Sequence, residues 1–498
     1  MRSIGVRNMI ETVIDTDSEK REATRGRWLA GLRRRTGLDR AIAYTVMARV
    51  FQIVGSAGTV LLIVRFLTPV EQGYYYTLLS LVALQMVFEL GFSFVILQLA
   101  AHETVHLALH PDGRIEGDHV ARLRLASVLQ KTVRWYLVAG VVMLATLTPA
   151  GSAFFAGHAA GGGTVHWHGP WIFAVIATVA LFMLNPVVSF VEGCGQVRQV
   201  AAMRLTQGVA AILVPWSVLI SGHGLWSPGA VSAAFSLIAL AFLWSRRKLL
   251  LPLLRCSGTA KAIVWRSEIW PFQWRLGVSF LCSWFTAQIF TPVLFAYRGP
   301  VEAGRMGMSM SIAGYLWAVV LPWMSTKATP FGNLIARGQF QELDALFLRT
   351  LKQSLVVVAA SAALCMAGIG LLQHAAPRLA TRMLPPHLFA LLLLAAVSVF
   401  VVQSLAVYLR AHRREPFLWQ SLLVAGLTSG GALLLVPRWG LPGAALTYFV
   451  CAGVIGLVSA LTIFHARRKV RYVAAVSEQR PNITLSSLQG EEIGELQP

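Results

Sequence analysis

The chain has 498 residues, 56% of them hydrophobic and only 13% charged, about half the charged fraction of an ordinary soluble domain. Its 43 Lys and Arg against 22 Asp and Glu give a formal charge of +21, a balance that suits nucleic acid or an anionic membrane surface. Long apolar runs decide for the membrane and exclude a nucleic-acid partner. The five cysteines, Cys194, Cys256, Cys282, Cys365 and Cys451, are odd in number and scattered. They form neither a disulfide framework nor a thiolate metal site and read as small core residues.

Residues 1–40 form a basic N-terminal tail in which Arg25, Arg27, Arg33, Arg34, Arg35 and Arg40 alternate with Trp28, Leu29, Leu32 and Leu38. Two readings stand: a helix lying on the cytoplasmic leaflet, or a disordered tail. No cleavable signal peptide is expected, because the polar start lacks a short apolar core and a small-residue cleavage site. Twelve apolar runs follow, each about long enough to cross a hydrocarbon core. They lie near 42–66, 74–99, 135–157, 170–192, 206–223, 226–245, 276–297, 303–325, 353–373, 387–409, 417–437 and 441–464. The fold expected is therefore all-α: a polytopic membrane protein of two six-helix lobes around a central cavity. The lobes span 41–245 and 275–466, joined by a basic cytoplasmic linker at 246–274, with a disordered tail at 467–498.

Orientation follows from the basic residues. With the N-terminus inside, 36 of the 43 Lys and Arg fall in inner segments and six in outer links: Arg65, Arg298, Arg305, Arg378, Arg382 and Arg438. That bias places both termini in the cytoplasm and supports the count of twelve spans.

One stretch is written twice. Leu67-Thr-Pro-Val-Glu-Gln-Gly73 and Arg298-Gly-Pro-Val-Glu-Ala-Gly304 share Pro-Val-Glu-x-Gly between paired apolar runs. Superposing Pro69 on Pro300 also sets Gly91 on Pro322, two helix-weakening residues at one depth. Two related halves are a common plan for secondary transporters. The prolines and glycines are expected to shape tight turns, with Glu71 and Glu302 at helix N-termini.

Charge inside the spans is sparse. Arg49 in the first span and Glu89 in the second both sit on the order of 10–15 Å above the inner boundary, and an unpaired charge there is costly, so an Arg49–Glu89 pair is expected. It either lines a cavity, offering a guanidinium to phosphate and a carboxylate to a proton, or only packs two helices. Gln52 and Gln85 share the faces of Arg49 and Glu89, and Gln288 is a further polar group at depth; such amides otherwise serve as interhelical glue. Arg65, Arg298 and Arg305 either form an outer cationic rim or snorkel to lipid headgroups. His102 with His106, and His166 with His168, lack a third ligand nearby, so no metal is expected. No cofactor is implied, and no phosphate-cradling nucleotide loop is present.

Arg65-Phe-Leu-Thr-Pro-Val-Glu-Gln-Gly73, the second helix ending Phe88-Glu-Leu-Gly-Phe92, the turn Gly299–Gly304, and Leu321-Pro322 before a basic amphipathic loop at 335–353 carry a family likeness. Over about 41–466 the chain resembles the polysaccharide flippases of the multidrug/oligosaccharidyl-lipid/polysaccharide exporter superfamily. The resemblance implies a two-lobed transporter, not an enzyme, that moves a polyprenyl-pyrophosphate-linked glycan across a bacterial inner membrane by alternating access. Membrane lipids, the glycan polymerase and the export machinery are the partners implied. Glu89 becomes the coupling-ion candidate. Cavity Arg and Lys residues commonly hold the pyrophosphate in such families, whereas Arg49 is the one deep cation here. Rival readings are a drug or metabolite antiporter of the same superfamily and a membrane-embedded glycosyltransferase, ligase or polymerase. Short outer links with Glu71 and Glu302 as their only acids argue against the enzyme.

Overall fold

The computed structural model describes residues 55–105, 107–109, 115–158, 165–256, 270–411 and 417–479. The arginine-poor end of the helices is called outer below and the arginine-rich end inner. Helix α1, Gly55–Phe66, is the described part of the first run. The second run is broken into α2 (Pro69–Val82), α3 (Gln85–Glu89) and α4 (Phe92–Thr104), bent by 41°. A short antiparallel pair, β1 (Leu107–Leu109) and β2 (Ile115–Gly117), then leads into α5 (His119–His158). The first half continues with α6 (His168–Gly193), α7 (Val197–Ile220) and α8 (Ser227–Ser245), and ends in the amphipathic α9 (Arg247–Arg255).

The second half begins with α10 (Trp270–Ala287) and α11 (Phe290–Arg298), whose apolar part from Gly277 is bent by 42°. Then come α12 (Pro300–Ser325), α13 (Ala328–Ala336), α14 (Phe340–Ala375), the short α15 (Pro377–Ala380), α16 (Pro386–Arg410) and α17 (Leu418–Trp439). The last run is α18 (Leu441–Thr447), passing through a π-helical turn, Tyr448–Ile455, into α19 (Gly456–Gln479). The described part of every one of the twelve apolar runs thus falls on helix, six runs in each half.

Several boundaries differ from expectation. The third span extends inward to His119, and the ninth begins at Phe340, so much of the supposed loop 335–353 is helix. The last helix continues past 466 to Gln479, into the segment expected to be disordered, because nothing before Pro481 breaks it and Arg, Lys, Ala and Val carry it on. Residues 480–498 and the N-terminal tail lie outside the described residues. The halves also break differently. Leu90 and Gly91 both adopt left-handed backbone, with φ of 48° and 70°, and end α3. Pro322, matched to Gly91 by sequence, lies inside an unbroken α12.

Three ion pairs tie helices together at the inner end. Arg124 holds Glu103 at 2.9 Å, Arg204 holds Glu192 at 2.7 Å, and Arg468 holds Asp344 at 2.7 Å while Tyr408 donates to the same carboxylate. Each closes a buried or half-buried carboxylate against its neighbours, the condition for leaving such a charge near an apolar core.

Candidate site at the seam between the lobes

The doubled stretch builds the outer end of the seam. Thr68 caps α2: its hydroxyl accepts from the Glu71 amide at 3.2 Å, and Glu71 Oε2 accepts from the Thr68 amide at 2.8 Å. This reciprocal cap fixes the start of the helix behind Pro69. In the second copy Gly299, at φ 88°, turns the chain into Pro300. The two helices then cross at their glycines. A Cβ on Gly73 would collide with the Pro300 carbonyl oxygen, and one on Gly304 would stand 2.9 Å from the Gly73 amide nitrogen. Equivalent positions of the repeat therefore lie on each other, backbone to backbone.

Around this crossing the lobes are joined by polar and aromatic contacts. Gln72 Nε2 donates to the Gly304 carbonyl at 2.9 Å and to the Arg382 carbonyl at 3.1 Å. Arg382 returns Nη1 to Gln72 Oε1 at 3.3 Å and Nη2 to the Leu67 carbonyl at 2.7 Å. Burial pulls the Arg382 guanidinium below the usual arginine range, while the nearby Glu71 charge acts in the opposite direction. Tyr74 and Phe155 of the first lobe pack on Phe295 of the second, with centroids at 4.9 and 5.6 Å. Between these groups lies a cavity of about 210 Å³ lined by Pro69, Gln72, Val301, Arg305, Thr381 and Arg382.

Deeper in, Gln288 sits at the bend between α10 and α11, where its Oε1 accepts from Ser80 at 3.1 Å; Trp284 Nε1 donates to the Ser80 carbonyl at 3.0 Å. Gln288 is thus placed at the seam. At the inner side Leu90 packs on Gly277 of the other lobe, where a Cβ would meet its side chain at 2.5 Å. Glu89 is half-buried beside this break and accepts from Ser93 at 2.9 Å. The Tyr136 hydroxyl is buried within electrostatic reach of Glu89 and Ser93. Gln85 lies half-buried one turn before Glu89.

Arg49 and Gln52 lie outside the described residues, as does His106, so the Arg49–Glu89 pair has no described geometry. The three rim arginines part company. Arg65 is exposed at the end of α1. Arg298 donates to the carbonyls of Arg438 at 2.6 Å and Val436 at 3.4 Å, satisfying the C-terminal groups of α17. Arg305 alone reaches the cavity, and Arg382 and Gln72, not singled out in the sequence, join it. A signal for Gln72 existed: it is the variable position of the doubled stretch, matched by a fully buried Ala303. Among the described residues no three His, Cys, Asp or Glu side chains gather as a metal site.

No family model and no curated protein matches the sequence. Solved structures do match the fold. An inward-facing multidrug resistance MATE family transporter of the MOP superfamily covers 84% of this chain and 98% of its own, with a TM-score of 0.51 and 14% identity. An outward-facing one covers 86% and 95%, with a TM-score of 0.52 and 14% identity. A MOP superfamily transporter from Pyrococcus furiosus, described as having a binding pocket of reversed polarity suggesting a different function, covers 87% and 95% at a TM-score of 0.51 and 14% identity. The chain has the two-lobed fold of these transporters. At this identity the likeness is one of fold.

Proposed function

We propose that the chain is a membrane transporter working by alternating access, with one six-helix lobe rocking against the other. The observation that carries this reading is the outer crossing of the doubled stretch. Two helix N-termini meet through glycine backbones and a few side-chain hydrogen bonds, contacts that a rigid rotation of one lobe can break without unfolding either. The fold neighbours, solved facing inward and facing outward, support the same motion.

For the cargo we infer a polyprenyl-pyrophosphate-linked oligosaccharide, an O-antigen, capsule or exopolysaccharide unit, carried from the cytoplasmic to the periplasmic leaflet of a bacterial inner membrane. A surface rich in Arg and Lys at the inner end, Arg49 at depth and arginines at the outer seam favour an anionic headgroup. The lipid tail remains in the bilayer while the glycan crosses. Both termini are then cytoplasmic, and the partners are lipids, the glycan polymerase and the export machinery. Glu89, with Ser93 on its carboxylate, is the candidate proton site, and Arg49, Gln52, Gln85 and Gln288 the cavity candidates.

The second reading is an antiporter of drugs or soluble metabolites, and the multidrug transporters among the fold neighbours favour it. A deletion strain separates the two. The flippase predicts lipid-linked oligosaccharide accumulating on the cytoplasmic leaflet with unchanged sensitivity to cationic dyes. Dye sensitivity with a normal glycan lipid would establish the antiporter instead. Under the flippase reading Arg49→Gln reaches the membrane and fails to rescue the strain; full rescue would remove Arg49 from the site.

A further inference from the structure

The cavity at the outer seam has two guanidinium side chains and no carboxylate among its lining residues. Arg382 gives Nη1 and Nη2 to neutral acceptors, the Gln72 amide and the Leu67 carbonyl. Arg305 has its Nε buried without a hydrogen-bond partner, so the desolvation of that donor stands uncompensated. Glu71, the acid that acts on Arg382, already accepts from the Thr68 amide and hydroxyl. Pro69 and Val301 belong to the first turns of α2 and α12, 14 and 26 residues long, so two positive helix ends also border the space.

We propose that Arg305 and Arg382 form an anion site that takes a phosphate group at the outer end of the seam. Guanidinium donors match phosphate oxygens in planar pairs. The volume of about 210 Å³ far exceeds the roughly 10–15 Å³ that one water needs on the same measure. A charged acceptor also competes with the neutral groups now holding Arg382. Occupancy therefore releases Gln72 and Leu67 and loosens the crossing, which makes the site a ligand-sensitive outer latch. This last consequence rests on the alternating-access reading; the binding does not. The phosphate comes either from the pyrophosphate of a carried lipid or from solution.

The test uses the full chain in lipid nanodiscs titrated with inorganic pyrophosphate by calorimetry. Saturable binding is expected, at least tenfold weaker in Arg305→Gln and in Arg382→Gln and unchanged in Arg298→Gln, whose guanidinium is held by the α17 carbonyls. Nanodiscs doped with polyprenyl pyrophosphate distinguish the sources: competition with inorganic pyrophosphate that neutral polyprenol does not reproduce assigns the lipid, and its absence assigns free phosphate. If Arg382→Gln does not fold, Arg305→Gln decides, because no hydrogen bond of its Nε is lost. The site is overturned if pyrophosphate does not bind saturably, or binds Arg305→Gln as tightly as the parent. Transport that persists without such binding removes the site and leaves the transporter reading; binding by a chain that transports nothing does the reverse.

Discussion

The two copies of Pro-Val-Glu-x-Gly agree at the crossing and differ around it. In the first, Thr68 and Glu71 close a reciprocal cap, Gln72 reaches into the other lobe, and the run breaks after the motif at Leu90-Gly91. In the second, Gly299 has no side chain to cap with, Glu302 Oε2 is buried without a hydrogen-bond partner, and Ala303 is closed in. Its break falls before the motif, at Gln288-Ile289. The repeated residues preserve a backbone contact that both lobes need. The polar groups that line the seam cavity from these helices, Gln72 and Arg305, stand at unlike positions, so function is to be sought where the copies disagree.

The strongest way to break this comparison is to fill the crossing. Gly73→Val forces a branched side chain against the Pro300 backbone, which cannot yield as a side chain would. A loss of at least about 1–3 kcal/mol is expected, read as a lower Tm of the detergent-purified protein. Gly304→Ala, facing an amide at 2.9 Å, should lose less, and an unchanged Tm in both would refute the crossing.

Making the copies alike comes next. Gln72→Ala removes the amide that joins Gly304 to Arg382, for about 1–2 kcal/mol. Hydrogen exchange should quicken over 69–76 and 300–306; unchanged exchange would mean that the amide does not hold the seam. The smallest effect is at Leu90, the one non-glycine residue with positive φ among the described residues. Leu90→Gly relieves roughly 1 kcal/mol of backbone strain while losing the contact with Gly277. Leu90→Ala loses the contact and keeps the strain, so it should melt lower than Leu90→Gly.

The apolar runs made all twelve helices legible, because spanning length and basic-residue bias are local properties of the chain. The inward continuation of α5 and α14 was not: there charged residues interrupt the apolar ones, so Leu125, Leu129, Leu343 and Phe347 are buried in no unbroken apolar run. The match of Gly91 with Pro322 failed because a proline late in a packed helix need not break it, whereas consecutive left-handed residues must. Near the seam, Glu89 and Gln288 were readable as polar residues in apolar runs. Arg298 was a rim candidate beside the doubled stretch, and Arg382 was only one of the outer-link arginines. Only tertiary placement gives one to the end of α17 and the other to the seam.

The 40 residues of α5 form a rod about 60 Å long, roughly twice the hydrocarbon thickness. Near its inner part Gln130 Nε2 grips the carbonyls of Leu253, Leu254 and Cys256, the last turn of α9 at the start of the linker. A tilt of about 10° about the outer tip would sweep the inner tip through roughly 10 Å. A small tilt of the first lobe would thus be magnified at its inner tip, and Gln130 would carry that displacement to the end of α9.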